Sequence, residues 1–168
     1  MDSQDSDSKY ALDAGAFYTG MLFLSSAHRI YYTTSAVFDE VKHIKKSHGV
    51  IEALLESNTL QVVNSDRESI EKVVAAAKRT GDYTKLSQAD ISIIALALKL
   101  KIVLVTNDYA VANTASTLKV SIEFTSGKSI KEIRKWMAYC GACGRVFGPS
   151  AKESRLCGNR LRRKYKVI

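Results

Sequence analysis

Five short apolar or aromatic segments alternate with helical segments through the first 127 residues, and this alternation restricts the fold more than any other feature. Parallel strands need a crossover connection, which a helix usually supplies. The order therefore predicts an α/β domain with a mainly parallel central sheet, and the apolar character of the strands indicates that helices cover both faces. The predicted strands are YALD, RIYYTT, TLQVVN, KIVLVT and VSIEFT.

The connecting helices carry start and stop signals. In SDRESIEKVVAAAKRTG, Ser65 and Glu68 have the spacing of a capping box, and Gly81 ends the helix. In SQADISIIALALKL, Ser87 begins a helix that has Asp90 in its first turn. The segment SIKEIRKWM is predicted to be the last helix of the domain.

Near Trp136 the pattern changes to short turns with glycine and cysteine, which places a boundary at about residue 137. We predict a disordered N-terminus at 1–8, an α/β domain at 9–136 and a small C-terminal module at 137–168. The longest apolar stretch, ISIIALALKLKIVLV, is too short to span a bilayer, and the N-terminus lacks the apolar core of a signal peptide. The sequence thus predicts a cytoplasmic protein with no membrane partner, and it leaves the oligomeric state open.

The basic residues are concentrated at the C-terminal end. The chain has a net charge of +8, but residues 128–168 contain twelve lysines or arginines and two acids, a net of +10, against −2 for the rest. This asymmetry predicts an acidic partner, with nucleic acid ahead of an anionic membrane, and a solvated basic tail is the simpler alternative. All three cysteines lie in the same region, which favours metal binding over disulfide formation in an intracellular chain.

Four acids are placed where they can meet. Asp13 ends the first predicted strand and Asp108 follows KIVLVT, so both belong at the carboxyl edge of the sheet, where ligands bind in open α/β folds. Asp90 lies in the helix that leads into KIVLVT, and Glu40 lies in the helix after RIYYTT. Clustered carboxylates repel one another unless a cation binds among them, and Mg²⁺ or Mn²⁺ prefers oxygen ligands.

Each acid also has a purely structural interpretation. Asp90 fits the third residue of a capping box begun by Ser87, and Asp108 fits the cap of the helix that follows it. Glu40 fits a solvent-facing position on an amphipathic helix, and Asp13 fits a turn at the end of a strand. Residue chemistry alone leaves these alternatives open.

The four segments together resemble a known family. YALDAGAF, TTSAVFDEV, LSQADISIIALAL and LVTNDYAVANTA occur in the order of the motifs of PIN-domain ribonucleases, and the resemblance covers roughly residues 8–127. It implies a three-layer α/β/α domain in which Asp13, Glu40, Asp90 and Asp108 bind Mg²⁺ or Mn²⁺ and activate water. Thr106 matches the family's hydroxyl beside the last acid, whereas Asn107 stands where some members have a further Asp.

The C-terminal module narrows the resemblance. CGACGRVFG supplies Cys140 and Cys143 in a zinc knuckle, and SRLCGNRLRRK resembles a second knuckle with Cys157 as a ligand and Ser154 at the expected fourth ligand position. A PIN domain followed by a zinc-ribbon-like module resembles the Nob-one endonucleases, in their short archaeal form. The resemblance implies Zn²⁺ in the module, a role in processing the 3′ end of small-subunit ribosomal RNA, and the pre-small-subunit particle as partner.

A basic cluster near the C-terminus is the predicted RNA-binding surface. Trp136 or Tyr139 is a candidate for stacking on a base, although packing is the simpler role for Trp136. Two other functions remain open: a PIN toxin ribonuclease of a toxin–antitoxin pair, and a non-catalytic RNA-binding assembly factor. The predicted phosphate-binding residues are Arg160, Arg162, Arg163, Lys164 and Lys166.

Overall fold

The central sheet of the α/β domain has five parallel strands, as the sequence predicts. The computed structural model describes residues 8–19, 29–43, 48–125 and 132–168. The strand order is β3-β2-β1-β4-β5, and every neighbouring pair is parallel. All five carboxyl ends therefore share one edge. The strands are β1 (Ser8–Leu12), β2 (Arg29–Thr33), β3 (Leu60–Val62), β4 (Val103–Val105) and β5 (Ile122–Glu123).

Helices connect and cover these strands. Helix α5 is the most deeply buried: Ile93, Ile94 and Leu96 are fully covered, and the helix packs against β1 and against the helices α2, α4 and α6. No described helix is long and apolar enough to cross a membrane. The helices are α1 (Ala14–Tyr18), α2 (Ser35–Val41), α3 (His48–Glu56), α4 (Arg67–Thr80), α5 (Gln88–Leu100) and α6 (Tyr109–Thr117).

Some sequence predictions concern residues outside the described ranges. Residues 1–7 of the predicted disordered start lie there, and β1 begins at Ser8. The start of the segment SIKEIRKWM also lies outside those ranges.

The N-terminal cap of α4 differs from the prediction. Asp66, not Ser65, is the N-cap, and its Oδ1 accepts a hydrogen bond of 2.8 Å from the Ser69 N–H. The helix therefore begins one residue later than predicted, with a charged acceptor on the Ser69 N–H in place of a serine hydroxyl on the Glu68 N–H. The Ser65 hydroxyl is buried and has no hydrogen-bond partner in the described structure. Gly81 ends the helix in the left-handed conformation (φ 79°), as predicted.

The segment predicted to be the last helix is instead a strand where it is described. Strand β6 (Arg134–Tyr139) lies between β7 (Val146–Phe147) and β8 (Arg162–Val167) in an antiparallel sheet. Its six residues all pair with β8 across the sheet. The segment has a helical pattern in its sequence but forms a strand, because pairing with β8 outweighs its local helix propensity. β6 begins ahead of the predicted boundary at residue 137.

A buried asparagine joins the C-terminal module to the α/β domain. The side chain of Asn113 on α6 accepts a hydrogen bond from the Arg134 N–H (2.7 Å) and donates to the Arg134 carbonyl (2.8 Å). Its amide nitrogen also donates to Oδ2 of Asp82 at 2.6 Å. Asn113 and Asp82 are both buried. One side chain thus holds the first residue of β6 against the turn that follows α4.

Gly81 is the second point of close approach. A Cβ atom at this position would lie 2.7 Å from Cβ of Pro149 and 3.0 Å from Cβ of Trp136. The Gly81 carbonyl accepts a 2.9 Å hydrogen bond from Nη2 of Arg163 on β8. The positive φ angle and the contact with the module both require glycine here, so the same residue ends α4 and permits the docking.

Candidate active site and metal centre

Asp13 is the central acid of the candidate active site. It follows β1 and is 5% exposed. Its Oδ1 accepts a 2.6 Å hydrogen bond from the Ala14 N–H, which caps α1, and its Oδ2 accepts one of 2.6 Å from the Thr106 hydroxyl. The Thr106 Oγ1 in turn accepts a hydrogen bond of 3.0 Å from the Asp108 N–H. The ends of β1 and β4 are thereby linked through one threonine.

The electrostatics of this site disfavour the charged form of Asp13. Burial is the main cause that raises its pKa from 3.8 to about 6, and the negative charges of Asp90 and Asp108 raise it further against the opposing hydrogen bond from Thr106. The structure therefore brings three of the four predicted acids into electrostatic contact. A cation bound among them would remove the repulsion.

Asp90 and Asp108 both act as helix caps, and this does not exclude a second role. In the capping box of α5, the Ser87 N–H donates to Oδ2 of Asp90 at 2.7 Å. At the start of α6, Ala110 N–H donates to Oδ1 of Asp108 at 2.6 Å. The other oxygen of each carboxylate has no hydrogen-bond partner in the described structure. Both structural alternatives from the sequence are thus confirmed, and each acid keeps one oxygen for a ligand.

Glu40 and Asn107 do not share the contacts that link Asp13, Asp90 and Asp108. Glu40 is exposed near the end of α2, and the charges that raise the Asp13 pKa are those of Asp90 and Asp108. Asn107 donates to the Thr125 hydroxyl, so its side chain is engaged beyond β4 and not with the acids. In the described ranges only a cysteine group has three ligand atoms within 4.8 Å of one another. No three carboxylates of the described residues thus come within that distance of one another, and Mg²⁺ suits a wider site because it usually keeps several of its waters.

The C-terminal module contains two knuckles with the same backbone geometry. The Gly144 N–H donates to the Cys140 carbonyl, and the Gly158 N–H donates to the Ser154 carbonyl, both at 2.9 Å. Both glycines have positive φ, 70° and 68°. The Cys143 N–H lies 3.5 Å from Sγ of Cys140, and in the second knuckle the N–H of residue 157 lies 3.4 Å from Oγ of Ser154. Ser154 therefore occupies the position equivalent to Cys140.

The three sulfurs and the serine hydroxyl face one another. Sγ of Cys140 lies 3.4 Å from Sγ of Cys157, and Sγ of Cys143 lies 3.6 Å from Oγ of Ser154. Sulfurs that share a tetrahedral zinc ion are about 3.8 Å apart, given Zn–S bonds of about 2.3 Å. Ser154 is 3% exposed, so its hydroxyl points inward. The spacing and the donor set both fit Zn²⁺, with serine as the weakest donor.

The cysteines differ in acidity. Hydrogen bonding with Ser154, and then with the backbone and side chain of Asn159, lowers the pKa of Cys157 to about 6. The Cys143 N–H favours the Cys140 thiolate, but burial and the neighbouring thiols outweigh it and raise the Cys140 pKa. Since thiolates are the metal-binding form, Cys157 is available as a charged ligand near neutral pH.

The alternation of β8 separates the predicted RNA-binding residues into two faces. Arg163 pairs with Ala138 and faces the α/β domain, where its guanidinium lies 4.5 Å from the Trp136 ring centroid. On the opposite face, Lys164 lies 5.0 Å from the ring centroid of Tyr139. Arg162 and Lys166 share that face, and all three side chains are exposed. The packing role expected for Trp136 agrees with its T-shaped contact with Tyr165.

Comparisons with known proteins agree with this geometry. Residues 11–100 match the family described as the PIN domain of ribonuclease. Endoribonuclease Nob1 of Pyrococcus abyssi is 36% identical over 139 residues, which cover 83% of this chain and 81% of the relative. The chain belongs to the PIN-domain ribonuclease family. The resemblance to archaeal Nob-one endonucleases is thereby confirmed, and further archaeal proteins of that name are 30% to 38% identical.

Two other relatives bear on the function of the PIN domain. Ribonuclease VapC1 of Thermoplasma acidophilum is 31% identical over 93% of this chain and 78% of its own length. The 20S-pre-rRNA D-site endonuclease NOB1 of Saccharomyces cerevisiae is 39% identical over 79 residues, which cover 47% of this chain and 17% of that protein. The yeast match therefore concerns a part of a much larger protein.

Sequence reasoning missed two polar contacts of the PIN domain. The Thr34 hydroxyl, which caps α2, lies 2.7 Å from that of Ser92 on α5, and nothing in either local motif predicts this pairing. The Asn113 contact had a detectable signal, since a lone amide stands among apolar residues on the buried side of α6. A polar side chain in such a position needs a partner, and the partner lies in the next module.

Proposed function

We propose that this protein is a metal-dependent endoribonuclease that processes the 3′ end of the small-subunit ribosomal RNA precursor. The observation that carries the proposal is the buried Asp13 at the carboxyl edge of the sheet, in electrostatic contact with Asp90 and Asp108. Membership of the ribonuclease family and the pre-rRNA endonuclease among the relatives support the reaction and the substrate.

Asp13, Asp90, Asp108 and Glu40 would hold Mg²⁺ or Mn²⁺. The unpartnered oxygens of Asp90 and Asp108 and the raised pKa of Asp13 fit a divalent cation. When bound, the ion supplies an activated water and stabilises the charge that develops on the phosphate. Thr106 positions Asp13 through its hydroxyl, and the caps made by Asp90 and Asp108 fix the helices that present them.

The test of this function is cleavage of an RNA that carries the 3′ end of the small-subunit ribosomal RNA. We expect one cut with Mn²⁺ or Mg²⁺ and none with excess chelator. A PIN toxin ribonuclease is the second candidate, and the match to Ribonuclease VapC1 fits it only weakly. Equal cutting of unrelated RNAs would favour that candidate, whereas binding without metal-dependent cutting would favour a non-catalytic assembly factor.

The exposed face of β8 is the proposed RNA-binding surface. Arg162, Lys164 and Lys166 present their charges on the side opposite the PIN domain, and Tyr139 lies among them. Arg163, on the other face of β8, donates a hydrogen bond to the Gly81 carbonyl. Arg160 is exposed and lies outside this face, where its backbone forms an isolated antiparallel β-bridge with that of Glu153. Cationic side chains around a half-buried aromatic ring suit a phosphate backbone with a nearby base.

We predict that Lys164→Gln combined with Lys166→Gln weakens RNA binding and reduces its salt dependence. Losing two phosphate contacts should lower the slope of log affinity against log salt by about 1.4 to 1.8. Affinities measured by fluorescence anisotropy at several salt concentrations give the slope. The matched control is Lys99→Gln with Lys101→Gln, which removes the same charge at the far end of α5. Equal slopes for the two double variants would remove β8 from the RNA interface.

The C-terminal module is proposed to bind Zn²⁺ through Cys140, Cys143 and Cys157, with Ser154 at the fourth position. We predict that Ser154→Cys raises the zinc affinity about tenfold to a hundredfold. Substitutions of residues around a zinc ion change its affinity on this scale. Competition with a chromogenic chelator measures the affinity. Ser150→Cys adds a thiol at an exposed position of the same module and should change nothing. Equal affinity of Ser154→Cys and the natural chain would place the ion elsewhere.

A further inference from the structure

A groove of about 560 Å³ lies beside the acids, between α2, α4 and α5. This volume is within the range of about 300–1,000 Å³ that small-ligand sites occupy. Its lining combines apolar side chains with hydroxyl and amide groups, among them Ile70, Leu86, Ile91, Asn64, Ser65 and Gln88.

The groove lies at the same carboxyl edge of the sheet as the acid site, since Ser35 and Asn64 in its lining follow β2 and β3, and Asp13 follows β1, the strand next to β2. Gln88 and Ile91 also line it, and Asp90 lies between them in sequence, in the first turn of α5. The Thr33 hydroxyl donates to the Leu12 carbonyl at 3.1 Å, directly before Asp13. Ser35, two residues later, lines the groove. An RNA strand with its phosphate at the acids would therefore place a neighbouring nucleotide at the groove.

Two polar residues of the lining have hydrogen-bonding groups without a partner in the described structure. Oδ1 of Asn64 accepts from the N–H and the hydroxyl of Ser35, at 3.0 Å and 2.9 Å, which directs the Asn64 side chain. The Asn64 amide nitrogen has no hydrogen-bond partner in the described structure. The buried Ser65 hydroxyl has none either, because Asp66 takes the capping role. A buried unpaired hydroxyl in a native groove calls for a ligand or water.

We propose that this groove binds one unstacked base of the RNA strand next to the cleaved phosphate. The apolar side chains of the lining suit the face of a base, while Asn64 and Ser65 suit the donors and acceptors on its edge. Tyr83, 42% exposed at the rim, offers a ring for stacking. The inference rests on the proposed nuclease function, since it assigns the groove to the substrate of that site.

The test separates base recognition from cleavage by measuring binding in chelator. Short single-stranded RNAs with an abasic residue moved along the sequence serve as probes, and anisotropy gives each affinity. For the natural chain we expect one abasic position to weaken binding about tenfold, the effect of losing one stacked base. Val74→Phe, which fills the groove, should weaken binding of intact RNA and remove this dependence on position.

Two more variants make the result decisive. Tyr83→Ala alters only an exposed ring, so it should fold normally and reduce the positional loss. Leu100→Phe enlarges a side chain at the opposite end of α5 and should behave as the natural chain. Affinity that is equal for every abasic position, or a positional loss that persists in Val74→Phe and Tyr83→Ala, overturns the proposal. Metal-dependent cleavage of the same RNAs is scored separately, so either claim can fail alone.

Discussion

Asp13→Asn is expected to abolish RNA cleavage while it stabilises the metal-free protein. Asp13 follows β1, accepts a hydrogen bond from Thr106 after β4, and interacts electrostatically with the carboxylates of Asp90 and Asp108. Its charge is therefore central to any cation bound at this site. Removing it should cost several kcal/mol of transition-state stabilisation, which corresponds to about a thousandfold loss of rate. RNA affinity should change little, because the proposed phosphate contacts lie on β8.

The gain in stability follows from the direction of the pKa shift. Folding raises the Asp13 pKa from 3.8 to about 6, so between these values the folded state binds a proton that the unfolded state has lost. The stability contributed by this proton is complete below pH 3.8 and disappears as the pH rises through 6. At pH 7 the buried charge should therefore cost about 3 kcal/mol. Asparagine removes the charge but keeps one acceptor oxygen for the Ala14 N–H and the Thr106 hydroxyl, so the net gain in stability should be smaller than this cost.

Urea unfolding in chelator at pH 5 and pH 7, together with the cleavage assay, measures both effects. Asp39→Asn is the matched control, because Asp39 is an exposed acid of α2 whose partner is Lys42. It should retain activity and show no gain in stability. Full cleavage by Asp13→Asn would end the metal-site proposal. No gain in stability would show that other groups offset the cost of burying the Asp13 charge in the metal-free protein.

Asn113→Ala is expected to release the C-terminal module from the PIN domain. The substitution leaves the buried Asp82 carboxylate and both backbone groups of Arg134 without their partner. Unpaired buried polar groups cost about 1–3 kcal/mol each, and charged groups cost more, so the free energy of unfolding should fall by about 3 kcal/mol. RNA binding should weaken as well, because β8 would no longer be held in a fixed direction relative to the acids.

Hydrogen exchange of the Arg134 amide is the direct measurement, since that N–H donates to Asn113. We expect exchange near the unprotected rate in Asn113→Ala and strong protection in the natural chain. Ser116→Ala, on the same helix, is the control and should preserve protection. Retained protection in Asn113→Ala would mean that Gly81 and Arg163 suffice for docking.

The candidate acids show how far local patterns reach. Asp90 and Asp108 were each predicted both as caps and as ligands, and the structure places one oxygen of each on a cap and leaves the other without a partner. Their approach to Asp13 follows from the parallel sheet, which brings distant strand ends to one edge. Glu40 had no such constraint, and it lies exposed on α2.

Two placements differ from what the local sequence indicates, and they share a cause. Trp136 stands in a segment with helical character, yet its partner Tyr165 on β8 determines that it forms a strand. Arg163 lies in the basic segment that the sequence predicts to bind RNA, yet the alternation of side chains along β8 directs it toward Gly81. Both outcomes depend on residues far away in the sequence, which a local pattern does not contain.

The sequence by itself determined the alternation of strands and helices, the parallel sheet and the residues available at its carboxyl edge, because these follow from local periodicity and capping. Only the tertiary structure decided that the Ser154 hydroxyl lies 3.6 Å from Sγ of Cys143, that Asn113 joins the two modules, and that Ser65 is left unpaired in a groove. Those features depend on which distant groups meet after packing, and each buried polar atom is satisfied or left open by that packing alone.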